Sequence, residues 1–422
     1  MRIETKCIQS GYKPKNGEPR MLPITQSTTF KYDSTEHMGK LFALEESGYF
    51  YTRLANPTND SVAAKICDLE GGYAAMLTSS GQSAMFYSII NICSAGDHFV
   101  CSAEIYGGSH NLFGVSLKKL GIDVTFISPD STEEEIEAAI KENTKCLYGE
   151  TVANPALSVF DIEKWARVAH KNGIPLLVDN TFPTPVNCRP IEWGADIVIH
   201  STTKYLDGHD MGVGGCIVDS GNFDWEASGK FPGLCTPDAS YHGVVYTKDF
   251  GKAAFITKAT AQVMRDFGAI QSPMNAFLLN IGIETLALRM ERHCFNAQKI
   301  AEYLESHPKI AKVTYPGLKS NKYYDLAQKY MPGGSCGVLT FEVKGDMAAT
   351  VKFMDSLKLA MIATHVADAR TCVLHPASHT HRQLSPSERI AAGVTDGLIR
   401  FSVGIENYLD IIEDLKQALE KV

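Results

Sequence analysis

The sequence lacks the features that mark secreted, membrane-bound and nucleic-acid-binding proteins. Its 11 cysteines are odd in number and never stand at Cys-x-x-Cys spacing, which favours free thiols in a reducing compartment over disulfides. The first residues contain no apolar core of the signal-peptide type, and no later apolar run is long enough to span a bilayer. The net charge of −8 comes without a run of basic residues, so neither nucleic acid nor an anionic membrane is indicated as a partner. Together these absences predict a cytoplasmic protein.

The composition that is present is typical of a globular protein. A chain of 422 residues with 44% hydrophobic and 21% charged residues can bury a large core and form two domains. Apolar strands and helices alternate between residues 73 and 219, which predicts an α/β fold with a mostly parallel sheet wrapped by helices. The expected strands lie near residues 73–78, 98–102, 123–127, 145–150, 175–179, 196–200 and 215–219.

Lys204 stands just beyond one of these strands, between hydroxyl side chains and a glycine-rich stretch. Burial disfavours the charged form of a lysine and lowers its pKa, which yields the neutral amine that Schiff-base chemistry needs. The alternative is a structural lysine that extends its ammonium to solvent from a strand end.

Asp179 ends the neighbouring predicted strand, whose continuous apolar run is typical of a parallel sheet buried on both faces. Open parallel sheets bind ligands at the carboxyl ends of their strands, so Asp179 and Lys204 can face one crevice. Pyridoxal phosphate needs this pair, a lysine for the Schiff base and a carboxylate that keeps the ring nitrogen protonated. An acid that only caps its strand is the alternative, and the pairing with Lys204 favours the cofactor.

Further polar groups follow other strands. Ser79 to Ala84 open a predicted helix, and the free N–H groups of a first helical turn bind phosphate, although such a turn is also a common helix cap. It matches neither the GxGxxG nor the Walker pattern, so a nucleotide is not indicated. Tyr106, before two glycines, offers an aromatic ring at the crevice or packs into the core, and Asn154 offers an amide.

The two ends of the chain contain less regular patterns. Residues 1–60 hold many turn formers and the aromatic and cationic cluster around Tyr51 and Arg53. A long irregular segment of this kind either packs its own rings on the surface or reaches a neighbouring subunit and delivers Tyr51 and Arg53 to an anion. Residues 220–270 interrupt the alternation and are interpreted as an insertion over the site.

The remainder predicts a smaller α+β domain. A helical stretch over 275–304 leads to strands near 313–315, 338–343 and 399–403 and helices near 348–356 and 409–419. The expected organisation is therefore an N-terminal arm over 1–60, a large domain over 61–270 and a C-terminal domain over 271–422.

Arg400 lies in an apolar strand of this domain. Its planar guanidinium suits a carboxylate, either of a ligand or of a protein acid in an internal salt bridge. Several histidines precede it, but their spacing fits no usual ligand set and no metal site is predicted. The group consists of His365, His375, His379 and His381, with Arg370 among them.

Six short segments together form a recognisable set. They are Tyr51-Thr52-Arg53, Ser79-Ser80-Gly81-Gln82, Tyr106-Gly107-Gly108, Val178-Asp179-Asn180-Thr181-Phe182, Ser201-Thr202-Thr203-Lys204-Tyr205 and Ile399-Arg400-Phe401-Ser402-Val403-Gly404-Ile405-Glu406. The set runs over nearly the whole chain and resembles the Cys/Met-metabolism family of pyridoxal-phosphate enzymes. The resemblance implies the pyridoxal-phosphate transferase fold of type I, with a mostly parallel seven-stranded sheet in the large domain.

The resemblance also implies how pyridoxal 5′-phosphate is bound. Lys204 forms the Schiff base and shuttles protons, Asp179 pairs with the ring nitrogen, and Tyr106 stacks on the ring. The phosphate is held by residues of two subunits, Gly81, Gln82, Ser201 and Thr203 from one and Tyr51 and Arg53 from its neighbour. Members of the family form tetramers of tight dimers, so we expect a homotetramer with shared sites.

Substrate binding follows from the same resemblance. Arg400 is the expected anchor for the substrate carboxylate, and Asn154 holds that carboxylate or the cofactor's phenolic oxygen. Tyr51 and His365 complete the expected substrate-binding group. Two positions differ from the usual pattern of the family, since Asp210 replaces a glycine and His365 replaces an asparagine or serine.

Within the family, the chain is most similar to the O-acetylhomoserine sulfhydrylase branch. The similarity lies in residues 231–268 and in the stretch from Tyr106 to Phe113, because methionine γ-lyases usually carry a cysteine where Gly108 stands and cystathionine enzymes an arginine where Asn111 stands. The implied reaction converts O-acetyl-L-homoserine and sulfide into L-homocysteine and acetate. The alternatives are γ-elimination of methionine or cystathionine and, from another class, a non-catalytic cofactor-binding module.

Overall fold

The computed structural model describes residues 1–379 and 395–422, and two β-sheets organise these residues. The strands of the larger sheet are β1 (Ala74–Thr78), β2 (His98–Ser102), β3 (Asp123–Ile127), β4 (Thr144–Glu150), β5 (Leu176–Asp179), β6 (Ile197–His200) and β7 (Gly215–Asp219). They lie in the order β1-β7-β6-β5-β4-β2-β3. Strands β2 to β6 pair in parallel, whereas β7 runs antiparallel to both β1 and β6.

Burial explains why this sheet could be predicted. Every residue of β2, β5, β6 and β7 is buried, so each strand reads as a continuous apolar run rather than an alternating one. The predicted mostly parallel seven-stranded sheet is confirmed, with strand ends that differ from the prediction by one residue at most.

Helices cover the larger sheet and connect it to the second one. They are α1 (Ile3–Gln9), α2 (Thr35–Phe42), α3 (Pro57–Glu70), α4 (Gly81–Ile90), α5 (Gly107–Asn111), α6 (Glu133–Ala139), α7 (Ile162–Lys171), α8 (Thr184–Asn187), α9 (Pro232–Cys235), α10 (Tyr246–Phe250), α11 (Ala254–Lys258), α12 (Arg265–Phe267), α13 (Pro273–Glu284), α14 (Leu286–Ser306), α15 (Tyr324–Tyr330), α16 (Met347–Asp355) and α17 (Tyr408–Leu419). Shorter 3₁₀ turns span Leu117–Leu120, Pro190–Trp193, Ala239–Tyr241 and Gly251–Ala253, and π-helical turns span Leu112–Ser116 and Ala259–Met264.

Capping decides where several of these helices begin. The Ser80 hydroxyl accepts a hydrogen bond from the Ser83 N–H, and the Ser83 hydroxyl accepts one from the Ser80 N–H. Reciprocal bonds of this kind satisfy donors that a helix start otherwise leaves free. As a result, α4 begins at Gly81, within the stretch from Ser79 to Ala84 that the sequence predicts to open a helix.

The second sheet has the order β10-β11-β12-β9-β8. Its strands are β8 (Ile310–Thr314), β9 (Val338–Val343), β10 (Met361–Ile362), β11 (Cys372–Leu374) and β12 (Leu398–Ser402). Helix α14 joins the two cores, because Met290 packs in the cluster under the large sheet while Ile300 packs in the cluster under the second sheet. The predicted helical stretch over 275–304 is therefore two helices, α13 and α14.

The segment after β7 corrects one expectation. Residues 220–270 were expected to lie over the site, but their first part packs at the opposite edge of the sheet. The Lys145 ammonium, near the amino end of β4, donates to the Lys230 carbonyl at 2.6 Å, and Phe231 packs against Trp225 at a ring-centroid distance of 5.0 Å. Because β7 runs antiparallel, it delivers the chain to this edge. In the described part of the chain, no helix is long and apolar enough to cross a membrane.

Candidate active site

The candidate site begins with Lys204, in the turn that follows β6. The Lys204 carbonyl accepts a hydrogen bond from the Gly208 N–H at 2.8 Å, and the Lys204 N–H donates to the Ser201 carbonyl at 3.2 Å. Burial, together with the positive charge of Arg400, lowers the pKa of Lys204 to about 8, while Asp210 opposes this shift. A substantial fraction of Lys204 is therefore a neutral amine near neutral pH, as the sequence predicts for a nucleophilic lysine.

Arg289 holds this turn from behind, a role that sequence reasoning missed. The Arg289 guanidinium donates to the carbonyls of Tyr205 at 2.8 Å and Gly282 at 2.7 Å. Gly208 has φ +67, and a Cβ atom there would lie 1.9 Å from Arg289 Nη1. The glycine is thus required both by the backbone conformation and by the close approach of the guanidinium.

Asp179 ends β5 next to the strand that leads to Lys204. It aligns with Ile199 of β6 and is buried. Burial raises the pKa of Asp179, whereas the Thr181 N–H, which donates to Asp179 Oδ1 at 2.9 Å, and the charge of His200 oppose the rise. These contacts support a carboxylate that faces a positively charged partner at the crevice.

A buried polar network that the sequence did not indicate lies behind Asp179. His200 Nε2 lies 2.6 Å from Glu70 Oε1, and both side chains are fully buried. The Asn180 amide also donates to Glu70 Oε1, at 2.9 Å. Glu70 comes from α3, so its pairing with a strand residue across a gap of 130 positions leaves no local sequence signal.

The start of α4 meets the Lys204 turn. A Cβ atom at Gly81 would lie 2.6 Å from Ser201 Cβ, so only glycine allows this approach. The N–H groups of Gly81 and Gln82 have no hydrogen-bond partner in the ranges 1–379 and 395–422, and the Thr203 hydroxyl accepts from the Gly214 N–H at 3.0 Å. The structure thus brings Gly81 and Ser201 together at free helix N–H groups, as a phosphate site requires.

Tyr106 lies beside this helix start and is 48% exposed. A Cβ atom at Gly108 would lie 2.5 Å from Tyr106 Cε1, so the glycine fixes how close the ring comes to its own loop. The Gln82 amide donates to the Gly108 carbonyl at 3.1 Å, which ties the loop to α4. Tyr106 is therefore not packed in the core, and its role as an aromatic face at the crevice stays a prediction.

The Tyr106 loop also contacts Glu150, which was not among the predicted site residues. The Tyr106 N–H donates to Glu150 Oε1 at 2.7 Å. Glu150 ends β4, is buried, and aligns with Asp179 across the parallel pair. An acid at the end of a buried strand was the signal that identified Asp179, and the same signal was available for Glu150.

Arg400 comes to the site from the second sheet. Its Nη2 donates to the carbonyls of Thr364 at 3.0 Å and His365 at 3.1 Å, and its Nη1 donates to Asn154 Oδ1 at 3.3 Å. Within residues 1–379 and 395–422, no carboxylate lies within 4.0 Å of the guanidinium, so the internal salt bridge considered above does not occur there. Burial lowers the pKa of Arg400, and the guanidinium remains able to bind an anion.

His365 and Asp210, the two unusual positions, contact each other. His365 Nδ1 lies 3.5 Å from Asp210 Oδ1, and Asp210 adopts the left-handed φ of +58 that favours glycine. His365 Nε2 is buried without a hydrogen-bond partner among the described residues. Burial and the charge of Lys204 lower the pKa of His365, which places it in the electrostatic field of the lysine.

The structure does not bring every predicted residue to Lys204. Tyr51 and Arg53 are exposed, with the Arg53 guanidinium 5.3 Å from the Tyr51 ring centroid, and in the described chain no hydrogen bond or ion pair links them to the Lys204 turn. His375 and His379 are described, whereas His381 lies outside the described residues. Among residues 1–379 and 395–422, no group of three or more His, Cys, Asp or Glu side chains is placed to hold a metal ion.

The mostly parallel sheet brings three features to one edge, namely a lysine of lowered pKa, a buried carboxylate and a helix start lined by glycine. This combination is typical of fold type I pyridoxal-phosphate enzymes. Comparison with known proteins agrees with this class. Residues 4–420 match the family described as Cys/Met metabolism PLP-dependent enzyme. The chain belongs to this family.

Individual relatives are similar over nearly their full length. The chain is 44% identical to an O-acetyl-L-homoserine sulfhydrylase of Leptospira meyeri, covering 99% of the chain and 97% of the relative. It is 46% identical to a homocysteine synthase of Schizosaccharomyces pombe, covering 99% and 98%. A solved structure from Campylobacter jejuni that contains N′-pyridoxyl-lysine-5′-monophosphate superposes with a TM-score of 0.96 at 36% identity over 100% of both chains.

The cofactor of the chain is therefore pyridoxal 5′-phosphate, and the residues present fit it. Any Cβ atom at Gly81 would fill the space beside Ser201 where the helix N–H groups are free. Lys204 supplies a primary amine of lowered pKa, and Asp179 supplies a buried carboxylate. Phosphate, aldehyde and ring nitrogen thus each find a group of matching chemistry.

Proposed function

We propose that the chain catalyses γ-replacement on O-acetyl-L-homoserine, in which sulfide displaces acetate and L-homocysteine forms. The family and the names of several full-length relatives support this reaction. The observation that carries the proposal is the Arg400 guanidinium, buried beside Lys204 with no carboxylate partner in the described residues. A free amino acid supplies the missing anion through its carboxylate.

In this proposal, residues of this chain hold the cofactor. Gly81, Gln82, Ser201 and Thr203 bind its phosphate, Asp179 pairs with its ring nitrogen, and Tyr106 stacks on its ring. Lys204 links to it covalently. When bound, pyridoxal phosphate draws electrons from the carbon atoms of the attached amino acid and so allows protons to leave them.

Lys204 moves the protons. As a neutral amine it would take a proton from the α carbon of the substrate and give that proton up again before it takes one from the β carbon. Acetate would then leave from Cγ and sulfide would add there, after which Lys204 would return protons to the β carbon and to the α carbon. The pKa of about 8 suits both directions of transfer near neutral pH.

Arg400 and Asn154 orient the substrate through its carboxylate. Because Arg400 Nη1 also donates to Asn154 Oδ1 at 3.3 Å, the guanidinium is fixed before the substrate arrives. His365, together with Tyr51 from a neighbouring subunit, contacts the remainder of the substrate, and the Nε2 of His365, which has no partner among the described residues, is the polar atom available for it.

The sharpest test of the reaction compares substrates on one enzyme preparation. We expect O-acetyl-L-homoserine with sulfide to yield homocysteine much faster than methionine or cystathionine yields 2-oxobutyrate, with O-acetyl-L-serine as a further comparison. Dominant release of 2-oxobutyrate would replace the proposal with γ-elimination. A protein that binds the cofactor but converts none of these amino acids, with no change in the visible absorbance when they are added, would indicate a binding module.

The proposal includes a homotetramer of tight dimers in the cytoplasm, with a domain organisation of 1–60, 61–270 and 271–422. Arg53 is exposed and has no ion-pair partner among the described residues, which supports an arm that serves the phosphate of a neighbouring subunit. All 11 cysteines are free, in keeping with a reducing compartment.

Mixing inactive variants tests the shared site. Arg53→Ala mixed with Lys204→Ala produces hybrid dimers in which one site has both residues intact, so activity should approach about a quarter of the wild-type value. Lys204→Ala mixed with Asp179→Ala is the matched control, because both residues come from the same subunit and no hybrid site is intact. An absence of recovery in the first mixture, after subunit exchange has been demonstrated, would place each site within one chain.

A further inference from the structure

Two buried carboxyl groups end neighbouring strands beneath the candidate site. Glu150 of β4 and Asp179 of β5 align in the parallel register and are 6% and 8% exposed. Their Cα atoms are therefore about 4.8 Å apart, the spacing of adjacent strands. Two carboxylates so close and so far from water repel each other strongly, and such pairs ionise one at a time.

The surroundings of the two groups differ. Asp179 receives the Thr181 N–H at 2.9 Å and the favourable charge of His200. Glu150 has no lysine, arginine or histidine nitrogen within 4.0 Å in the described ranges of the chain. The titratable groups that face Glu150 are Asp179, Tyr148 of its own strand and Cys101 of β2, and none of them supplies a positive charge.

Glu150 nevertheless contacts two loops of the site. Its Oε1 accepts the Tyr106 N–H at 2.7 Å. The backbone N–H of Asn154 faces the same carboxyl group, and both N–H groups oppose the rise that burial produces in the pKa of Glu150. Tyr106 is half-exposed, and Asn154 carries the amide that meets Arg400. One side chain thus binds Tyr106 on the cofactor side and faces the backbone of Asn154 on the substrate side.

We propose that Glu150 is a positioning residue that remains protonated in the folded protein, holds the Tyr106 and Asn154 loops, and leaves Asp179 as the one negative charge for the ring nitrogen. A second charge at Glu150 would compete for that nitrogen and would destabilise the buried pair. Burial and the charge of Asp179 raise the pKa of Glu150 well above its usual range, in keeping with the neutral form. The roles of Tyr106 and Asp179 rest on the proposed function, but the protonation of Glu150 does not.

The first test uses the apoenzyme, so that neither cofactor nor substrate enters it. A carboxyl group whose pKa is raised by folding contributes stability that is full below its unfolded pKa, about 4.3, and is lost as pH rises toward the folded pKa. Because glutamine does not ionise, the Glu150→Gln variant lacks this loss of stability with rising pH. The folding equilibrium constant of the variant relative to wild type should therefore increase between pH 5 and pH 8, by up to about tenfold per pH unit.

The second test uses the holoenzyme. Glu150→Gln keeps an acceptor oxygen for the Tyr106 N–H, so cofactor affinity, kcat and the pH titration of the bound cofactor's visible band should stay within about threefold of wild type. Glu150→Ala removes the acceptor of the Tyr106 N–H and should weaken cofactor binding and raise the KM for amino-acid substrate by about tenfold each. If glutamine preserves these properties and alanine does not, Glu150 acts through its hydrogen-bond acceptor and not only by filling space.

An exposed glutamate provides the control for the stability test. Glu413→Gln on α17 changes an exposed glutamate without a described ion pair and should show no pH-dependent gain. A constant stability difference between Glu150→Gln and wild type across this pH range would mean that Glu150 is ionised in the folded state and would overturn the proposal. A hundredfold loss of kcat in Glu150→Gln would do the same, whereas failure of the sulfhydrylase reaction alone would leave the apoenzyme result intact.

Discussion

The two sides of the candidate site are held in place by different means. On the cofactor side, Asp179 and Ser201 stand at or just after the ends of paired strands, and backbone register fixes their spacing. On the substrate side, Arg400 reaches in from the second sheet and is fixed by hydrogen bonds to carbonyls of a loop. The first side therefore depends on close backbone approach, whereas the second depends on a few long side chains whose replacement changes affinity more than structure.

The largest expected effect is at Lys204, where the two sides meet. Lys204→Ala removes both the covalent link and the proton shuttle, so turnover should fall by at least about 10²–10⁴-fold. Homocysteine formation at saturating substrate measures this loss, and circular dichroism checks that the fold persists. Lys119→Ala, at an exposed lysine, is the control. A Lys204→Ala enzyme with near wild-type turnover would contradict the assigned role.

Arg400→Lys tests the substrate side. Lysine keeps the charge but cannot reproduce the forked contacts to Thr364, His365 and Asn154. Loss of charge-assisted hydrogen bonds of about 1.5–3 kcal/mol predicts a KM for O-acetyl-L-homoserine raised by about 10–100-fold, with cofactor affinity unchanged. Steady-state kinetics and a cofactor titration measure both quantities, with the exposed Arg370→Lys as control.

The opposite pattern would change the assignment of Arg400. If Arg400→Lys lost cofactor affinity while KM stayed constant, the guanidinium would serve the phenolic oxygen of the cofactor instead. Arg400 would then belong to the cofactor side of the site and not to the substrate side.

Gly81→Ala tests the cofactor side. The added Cβ atom would lie 2.6 Å from Ser201 Cβ, and both atoms belong to short, stiff side chains. Overpacking of about 1–3 kcal/mol should lower the affinity for pyridoxal phosphate by about 5–100-fold while KM changes little. Equilibrium titration of the apoenzyme measures the effect, and Gly39→Ala, where a Cβ atom meets nothing within 4 Å, is the control. Unchanged affinity would show that α4 can shift and that the side is less tightly held than its contacts indicate.

The same contrast explains what could be predicted from the sequence. Strand ends such as Asp179 follow fully buried runs, so period and composition locate them. Every strand end of the large sheet was predicted to within one residue. Strands β10 and β11 were missed because two and three residues, Met361–Ile362 and Cys372–Leu374, are too short to show a period.

Partners that are distant in sequence left no such signal. Arg289 bonds to Tyr205 across 84 positions, and Glu70 meets His200 across 130. His365 and Asp210 were singled out separately as unusual residues, and only the fold shows that they form one pair. Residues fixed by local backbone pattern were thus predictable, whereas residues fixed by side-chain contact between elements were not.

The smallest expected effect concerns the charges that act on Lys204 from the substrate side. Lys204 has a pKa of about 8, lowered by burial and by Arg400 and opposed by Asp210. Only the neutral amine attacks the cofactor aldehyde, so covalent attachment to the apoenzyme should accelerate by about tenfold between pH 7 and pH 9.

Two variants test which charges set the midpoint of this pH dependence. Asp210→Asn removes the opposing negative charge and should move the midpoint to lower pH, whereas Arg400→Gln removes a positive charge and should move it to higher pH. Stopped-flow absorbance after mixing apoenzyme with pyridoxal phosphate measures each midpoint, and because the cofactor's own ionisations are common to all variants, only the differences between them matter. Shifts of both variants in the same direction, or a wild-type midpoint near 10, would show that the substrate-side charges do not govern the lysine.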